Sequence, residues 1–323
     1  MLRIRVWGDA AKGEPGFVEV PASELAAVLA SETPAWIDIV GPDDEDARLM
    51  KEVLQFHPLA IEDTRNQRQR PKVEEYPNHL FLILNPGAPG EEETEFRELD
   101  VFLGATFVAT VHPEEEPAIA EAERRLARIP RKSLTPGYVV YTLLDTVVDS
   151  YFPILDAVGD EIEQLEDLVT QRPDRETLNR LFQLKRQLVV LRKVVAPQRD
   201  AMSLLTRRDL PFVDQARLAY QLRDVHDHLL RLADMVDTFR DLLSSGIDLY
   251  MSSVSNRLNR VVNRLTVVTI VVGILAVITG FYGMNFERTW PPFEVGWGVP
   301  FALGLMGAAI LVIVSVVRWL RWV

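Results

Sequence analysis

The sequence predicts an α+β domain followed by one very long helix that runs into the first of two apolar helices at the C-terminal end. Three observations predict it. The first third of the 323 residues alternates short apolar runs with short amphipathic ones. No proline lies between Pro211 and Pro291. Residues 265–282 nearly supply, and residues 299–317 do supply, the ~20 apolar positions a helix needs to cross a hydrocarbon core.

The runs at 3–7, 16–20, 35–40, 80–84 and 98–112 have the alternating or continuously apolar character of strands, forming a mixed sheet. Between them, 21–30 and 43–56 read as helices with acidic residues in their first turns. Asp100-Val101-Phe102-Leu103 and the run 106–111 are split by Gly104-Ala105, which predicts a hairpin. A charged helix over 114–128 stops at Pro130. Residues 138–169 form a long amphipathic helix, with Leu144, Val147, Val148, Tyr151 and Leu155 at helical spacing and a kink expected at Pro153. After Arg172-Pro173 a return helix is expected over 176–195, ending before Pro197 and completing a helical hairpin. From 214 to 282 nothing interrupts a helix of ~70 residues, ~100 Å long at 1.5 Å per residue. A stalk entering a bilayer uses that length, and a globular domain does not. The expected segments are an α/β/α domain with helical arms (1–196), a stalk (197–264), a membrane helix (265–282), an extracytoplasmic loop (283–298), and a second membrane helix with a short basic tail (299–323).

Charge orients the chain. Arg257, Arg260 and Arg264 precede the first span and Arg318 and Arg321 close the second, so both termini are expected on the cytoplasmic side of a plasma (inner) membrane. No apolar run near Met1 resembles a signal peptide. The formal net charge of −12 is the wrong sign for nucleic-acid binding and suits divalent cations or basic partners. With no cysteine, disulfides and thiolate metal sites are excluded. The sequence holds no Walker, nucleophile-elbow, HExxH or dinucleotide motif, so no enzyme, nucleotide or organic cofactor is expected.

Leu222, Val225, Leu229, Leu232, Val236, Phe239, Leu243, Gly246 and Tyr250 form a heptad seam along the stalk. It fits packing on the chain's own return helices, or self-association, which is favoured because two spans cannot enclose a pore alone. Continued into the span, the same rhythm yields a small, mildly polar stripe: Asn259, Val262, Thr266, Thr269, Gly273, Ala276, Gly280 and Gly283. Close helix packing and a pore lining both use such a stripe. Asp227, Asp234, Asp241 and Asp248 recur every seventh residue, with Asp248 the best functional candidate and Asp227 and Asp234 read as a solubilising face. His226 and His228, two apart on a helix, do not face each other, and a zinc site at His226-Asp227-His228 is rejected.

Between the spans lies Tyr282-Gly283-Met284-Asn285-Phe286-Glu287. Magnesium dehydrates reluctantly, so an amide ring at Asn285 with the carbonyls of Gly283 and Met284 can select it through its waters. The same triplet also reads as a helix C-cap, with Gly283 freeing the backbone for a tight turn. In its position this segment resembles the Gly-Met-Asn signature of the CorA family of magnesium and cobalt channels. The runs 57–63 and 70–74, Tyr141-Thr142-Leu143-Leu144-Asp145, Asp149-Ser150-Tyr151-Phe152, Leu184-Lys185-Arg186 and 250–256 resemble further parts of that family.

The resemblance implies a homopentameric funnel in the lipid bilayer that imports hydrated Mg²⁺, with Co²⁺ and Ni²⁺ as further candidates, down its electrochemical gradient. It implies Gly283, Met284 and Asn285 as selectivity filter, and Asn259, Val262, Leu265, Thr266, Thr269, Gly273, Ala276 and Gly280 as pore lining. It implies closure by cytosolic Mg²⁺ bound between Asp63 of one subunit and Asp224 of a neighbour, with Glu62 and Asp145 at a second site nearby. Asp248 and Glu287 would draw cations to the pore. Read without the family, Asp63 is an acidic turn residue before Arg65, in a solvated ion pair. The chain departs from the family at Ile274-Leu275-Ala276, where many members carry Pro-Leu-Thr, and at Gly273 and Val262, where gate methionines are common. The constriction is therefore expected elsewhere, with Leu265 the candidate. Two alternatives are a proton-coupled zinc transporter of the same superfamily, against which Met284 argues, and a membrane-tethered scaffold or sensor.

Overall fold

The computed structural model describes residues 1–7, 16–31, 33–88, 94–171, 174–207, 210–284, 290 and 296–319. It forms two compact units, 1–166 with 179–245, and 167–178 with 246–323.

In the first unit seven strands form a mixed sheet: β1 (Leu2–Val6), β2 (Val18–Val20), β3 (Ala35–Val40), β4 (Lys72–Tyr76), β5 (His79–Leu84), β8 (Leu99–Leu103) and β9 (Phe107–His112), in the order β2-β1-β3-β9-β8-β5-β4. Two short strands, β6 (Gly87–Ala88) and β7 (Glu95–Phe96), pair separately. Among the described residues only β3 and β9 run parallel, with Ile37 opposite Ala109. β5 and β8 are buried at every position, so they read as continuous apolar runs rather than alternating ones. The β8–β9 hairpin turns where it was expected, and Gly104 is required there because a Cβ would lie within 2.4 Å of the Phe107 ring.

One sheet face packs Ile4, Ile37, Ile39, Phe81, Phe102 and Val111 against α1 (Leu25–Ala30), α2 (Asp44–Glu52) and α3 (Pro58–Asn66), through Leu25, Met50, Ala60 and Ile61. The α2 start is a capping box, with Asp43 accepting from the amides of Glu45 and Asp46. The other face meets α4 (Pro117–Leu126) and α5 (Pro136–Asp149). Besides the short β6 and β7, two longer elements were not anticipated. β4 is an edge strand carrying Lys72, Glu74 and Glu75, whose charge hides its strand character. α3 places Asp63 on a helix rather than in a turn, started by the His57 ring accepting from the Leu59 amide and by Pro58 in the first turn.

The helical arms follow expectation at Pro153, where a kink was expected, and depart from it at Pro197. The helix expected over 138–169 is divided into α5 and α6 (Tyr151–Gln171), because Pro153 has no N–H for the Asp149 carbonyl and crowds it. The return helix α7 (Arg175–Arg207) does not end before Pro197 but runs through it. Buried Val195, Gln198, Ala201, Met202 and Leu205 continue its inner face, and Gln198 accepts from the Tyr151 hydroxyl, which offsets the ~3 kcal/mol cost of an internal proline. The stalk helix α8 spans Gln215–Tyr282 (68 residues), in keeping with the uninterrupted helix expected from 214 to 282. The second apolar helix is α9 (Gly298–Trp319).

The stalk seam is corrected as well. Leu222, Val225, Leu229, Leu232, Val236 and Leu243 are buried within the single chain. Gly159 of α6 faces Phe239, Phe152 of α6 meets His228 edge-on, and Arg192 of α7 pairs with Asp237 at 3.3 Å. The seam therefore serves intramolecular packing, and the preference for self-association through it is overturned. The apolar faces of α6 and α7 supply the partner that the seam required.

Candidate functional site: acidic clusters and a small-residue span

The sequence-predicted carboxylates fall into two groups. Glu62 and Asp63 lie in the last turns of α3, Glu62 exposed and Asp63 half-buried. Asp63 pairs not with Arg65, which binds Asp44, but with Lys72 of β4. Lys72 Nζ lies 2.6 Å from Asp63 Oδ2 and 2.8 Å from Glu74 Oε1, and 5.8 Å from the centre of the Phe81 ring. Burial works against the Lys72 charge, yet the bonds to Asp63 and Glu74 raise its pKa above the ordinary lysine value. The chain then turns through Gln67 and Arg68, both at positive φ, and Glu98 accepts from the Gln69 amide.

Asp145 and Asp224 meet elsewhere in the same unit. Asp145 is on α5, whose start is fixed by Thr135 accepting from the Tyr138 amide and by Pro136. Asp224 and His228 are four apart on α8 and share one helix face. Ligating atoms of Asp145, Asp224 and His228 all lie within 4.8 Å of one another. The Nδ1 of His228 is buried without a hydrogen-bond partner, while its ring edge rests on Phe152. Burial, then Asp149, pushes the Asp145 carboxyl above the usual range, against Arg125 and His228. Arg125 of α4 donates to Asp145 and to Asp149, each at 2.8 Å, and to Glu121 at 3.0 Å. Burial and Asp145 push Tyr141 to about 12.

Two carboxylates and an orphaned imidazole fit a divalent cation: the oxygens suit Mg²⁺, and the imidazole adds affinity for Co²⁺ or Ni²⁺. Sequence reasoning dismissed His228 by comparing it with His226. The signal lay in the Asp224–His228 spacing of four. Asp63 and Glu62 are not among the groups converging on Asp145.

In the second unit, the most apolar stretches of α8 and α9 have no residue buried by the chain itself. Thr266 Oγ1 donates to the Val262 carbonyl at 2.9 Å and Thr269 Oγ1 to that of Leu265 at 2.8 Å. Thr279, outside the expected stripe, donates to Leu275 at 2.9 Å. Each hydroxyl has committed its proton to the backbone and presents lone pairs outward. A Cβ added at Gly273 or Gly280 would meet nothing within 4 Å. Asn259 and Leu265 are exposed on the same helix, with Ala276 and Val262 also uncovered. After Tyr282 the Gly283 amide still donates to Thr279 at 2.8 Å, and a Cβ at Gly283 would press to 3.1 Å from that carbonyl oxygen. Gly283 thus allows a close backbone approach at the helix end. Met284 is exposed. Asn285 and Glu287 lie outside the described residues. Asp227, Asp234, Asp241 and Asp248 are all exposed, on the side of α8 away from the buried seam.

A mixed α/β domain joined through a 68-residue helix to a second apolar helix defines a membrane protein with two helices long and apolar enough to span. The chain matches the family described as "CorA-like Mg2+ transporter protein" over residues 31–321, and it belongs to that family. It is 37% identical over 315 residues to a cobalt/magnesium transport protein CorA of Thermotoga maritima, covering 95% of this chain and 89% of that one. It is 34% identical over 279 residues to the putative metal ion transporter YfjQ of Bacillus subtilis, covering 85% and 86%. The fold is that of the complete CorA magnesium transporter structure from Methanocaldococcus jannaschii, with a TM-score of 0.81 at 24% identity, covering 100% of this chain and 99% of that one.

Proposed function

We propose that this chain forms a homopentameric channel in the inner membrane, with both termini cytoplasmic, that admits hydrated Mg²⁺, and also Co²⁺ and Ni²⁺, down the electrochemical gradient. In this reading 265–282 and 299–317 span the bilayer, and the stripe of α8 from Asn259 to Gly280, Leu265 included, lines the pore. Gly283, Met284 and Asn285 form the filter, and Asp248 and Glu287 concentrate cations near it. The observation that carries the reading is the uncovered stripe of small residues and back-bonded threonines leading to Gly283 in a member of this family. Outward lone pairs accept hydrogen bonds from the waters of a hydrated cation, so the ion passes without losing a shell it gives up reluctantly. A divalent ion gains about 4.6 kcal/mol per 100 mV, so no pump is needed.

Closure is assigned to cytosolic Mg²⁺ held by Asp63, Glu62, Asp145 and Asp224. A cation shared between carboxylates of two subunits holds the ring closed, and its loss leaves like charges to drive the subunits apart. His228 adds a nitrogen donor beside Asp145 and Asp224.

The test is ion entry into proteoliposomes under an inside-negative potential, comparing Mg²⁺, Co²⁺ and Zn²⁺ with and without a proton gradient. The expected result is potential-driven Mg²⁺ entry indifferent to protons, with Asn285→Ala assembling normally yet losing selective uptake. Zn²⁺ entry that requires the proton gradient would move the protein to the transporter branch. Absence of any flux would leave the spans as a tether.

A further inference from the structure

Both halves of the regulatory carboxylate set already hold a cation belonging to the protein. Lys72 Nζ contacts Asp63 through one oxygen, Oδ2, at 2.6 Å, and Arg125 Nη1 contacts Asp145 through one oxygen, Oδ2, at 2.8 Å. Neither cation is a loose surface partner. Lys72 is also held by Glu74 and lies near the Phe81 ring, on a strand of the main sheet. Arg125 is fixed at three points, by Asp145, Asp149 and Glu121. Glu62 and Asp224 make no ion pair among the described residues.

We propose that Lys72 and Arg125 are resident counter-cations that set the threshold of the regulatory site: each orients one carboxylate and, by its charge, weakens the binding of a divalent ion to the other oxygen of that carboxylate. This inference rests on the regulatory reading of Asp63, Glu62, Asp145 and Asp224 above. The physical reason is charge counting at short range. A divalent ion on the free oxygen of Asp63 or Asp145 lies a few ångströms from a fixed positive charge, and the repulsion subtracts from its attraction to the carboxylates. Affinity of oxygen-donor sites for divalent ions follows ligand charge count and site rigidity. A sensor must fill only when the free cation is plentiful, and a bare set of carboxylates would saturate too early. Neutralising one charge per half lowers affinity while keeping the ligands preorganised.

The experiment is a Mg²⁺ titration of the full-length protein in detergent at pH ~7.5, reading the rise in Tm and the protection from limited proteolysis. K72M and R125Q remove the charge, K72R and R125K keep it, and D63N and D224N remove ligands. The Tm without metal reports that each variant is folded. The expected result is a Mg²⁺ midpoint about 3–10-fold lower in K72M and in R125Q, within about twofold of wild type in K72R and R125K. An unchanged or raised midpoint in either charge-removing variant, with the response lost in D63N and D224N, overturns this inference alone. A wild-type Mg²⁺ response retained in D63N and D224N overturns the regulatory site, and this inference with it.

Discussion

At the scale of single residues, the polar groups buried in the first unit divide between structure and chemistry by what they touch. Asp38, fully buried on β3, accepts from Thr110 at 2.6 Å and from His112 at 2.9 Å, with Arg5 at 3.7 Å. Trp36 donates to the same Thr110 hydroxyl, and the Arg5 guanidinium lies 5.1 Å from the Trp36 ring centre. The cluster pins β1, β3 and β9 together. Burial alone would push the Asp38 carboxyl up, but the His112 bond and charge carry it below the ordinary 3.8. Burial likewise opposes the His112 charge, and Asp38 raises His112 above 6.5. The signs fix the pH window. The Asp38 contribution is present above 3.8 and is lost as pH falls through its lowered value. The His112 contribution is complete below 6.5 and is lost as pH rises through its raised value. Thermal melts of the full chain should therefore show Tm falling as pH rises above the ordinary histidine value of 6.5, with that slope reduced in His112→Gln. Asp38→Asn should cost about 3 kcal/mol, because it leaves Arg5 and His112 facing an uncharged partner. An unaltered slope in His112→Gln would show that the pair does not titrate as described. Nothing in the sequence joins residues 38 and 112, so this cluster was illegible until strand order placed β3 beside β9.

At the scale of elements, most of the chain was legible where periodicity was strong and uninterrupted. The β8–β9 hairpin, the long α8 and the apolar α9 follow directly from their patterns. The losses have particular causes. β4 was missed because three of its five residues are charged, and α3 because its nine residues are read easily as the turn around Pro58. Pro197 looked like a terminator, yet its neighbours bury enough to keep α7 going to Arg207. The seam of α8 was identified residue by residue, but its partner was misjudged. A heptad pattern states that a face is covered, not by which chain. The site was legible in the same uneven way: Asp145 and Asp224 were named as ligands of two different sites, yet their ligating atoms lie together within one chain, and His228 was set aside by attention to the wrong neighbour. The packing of α6 on α8 has its own test. A Cβ at Gly159 would lie 3.0 Å from the Phe239 ring, so Gly159→Val should force the two helices apart. The expected loss is about 1–3 kcal/mol, read as a lower urea midpoint, with Gly159→Ala falling between it and wild type. Equal stability of all three would mean that the contact yields without cost.

At the scale of the whole molecule, two facts need a common explanation. The apolar stretches of α8 and α9 are uncovered by their own chain, while the first unit carries acidic clusters at Asp63 and at Asp145 with Asp224. In the proposed reading, lipid and neighbouring subunits cover the first, and a shared divalent cation occupies the second. In the account given above they are one device, because what the carboxylates hold together is the ring whose centre the small-residue stripe lines. The most direct measurement is Mg²⁺ uptake into proteoliposomes at fixed inside-negative potential, while Mg²⁺ on the side of the α/β domain is raised through the millimolar range. The account predicts that uptake by the wild-type protein shuts down as that concentration rises, and that Asp224→Ala stays open throughout. Uptake that ignores domain-side Mg²⁺ in the wild type, or an Asp224→Ala protein that closes at the same concentration, would contradict it.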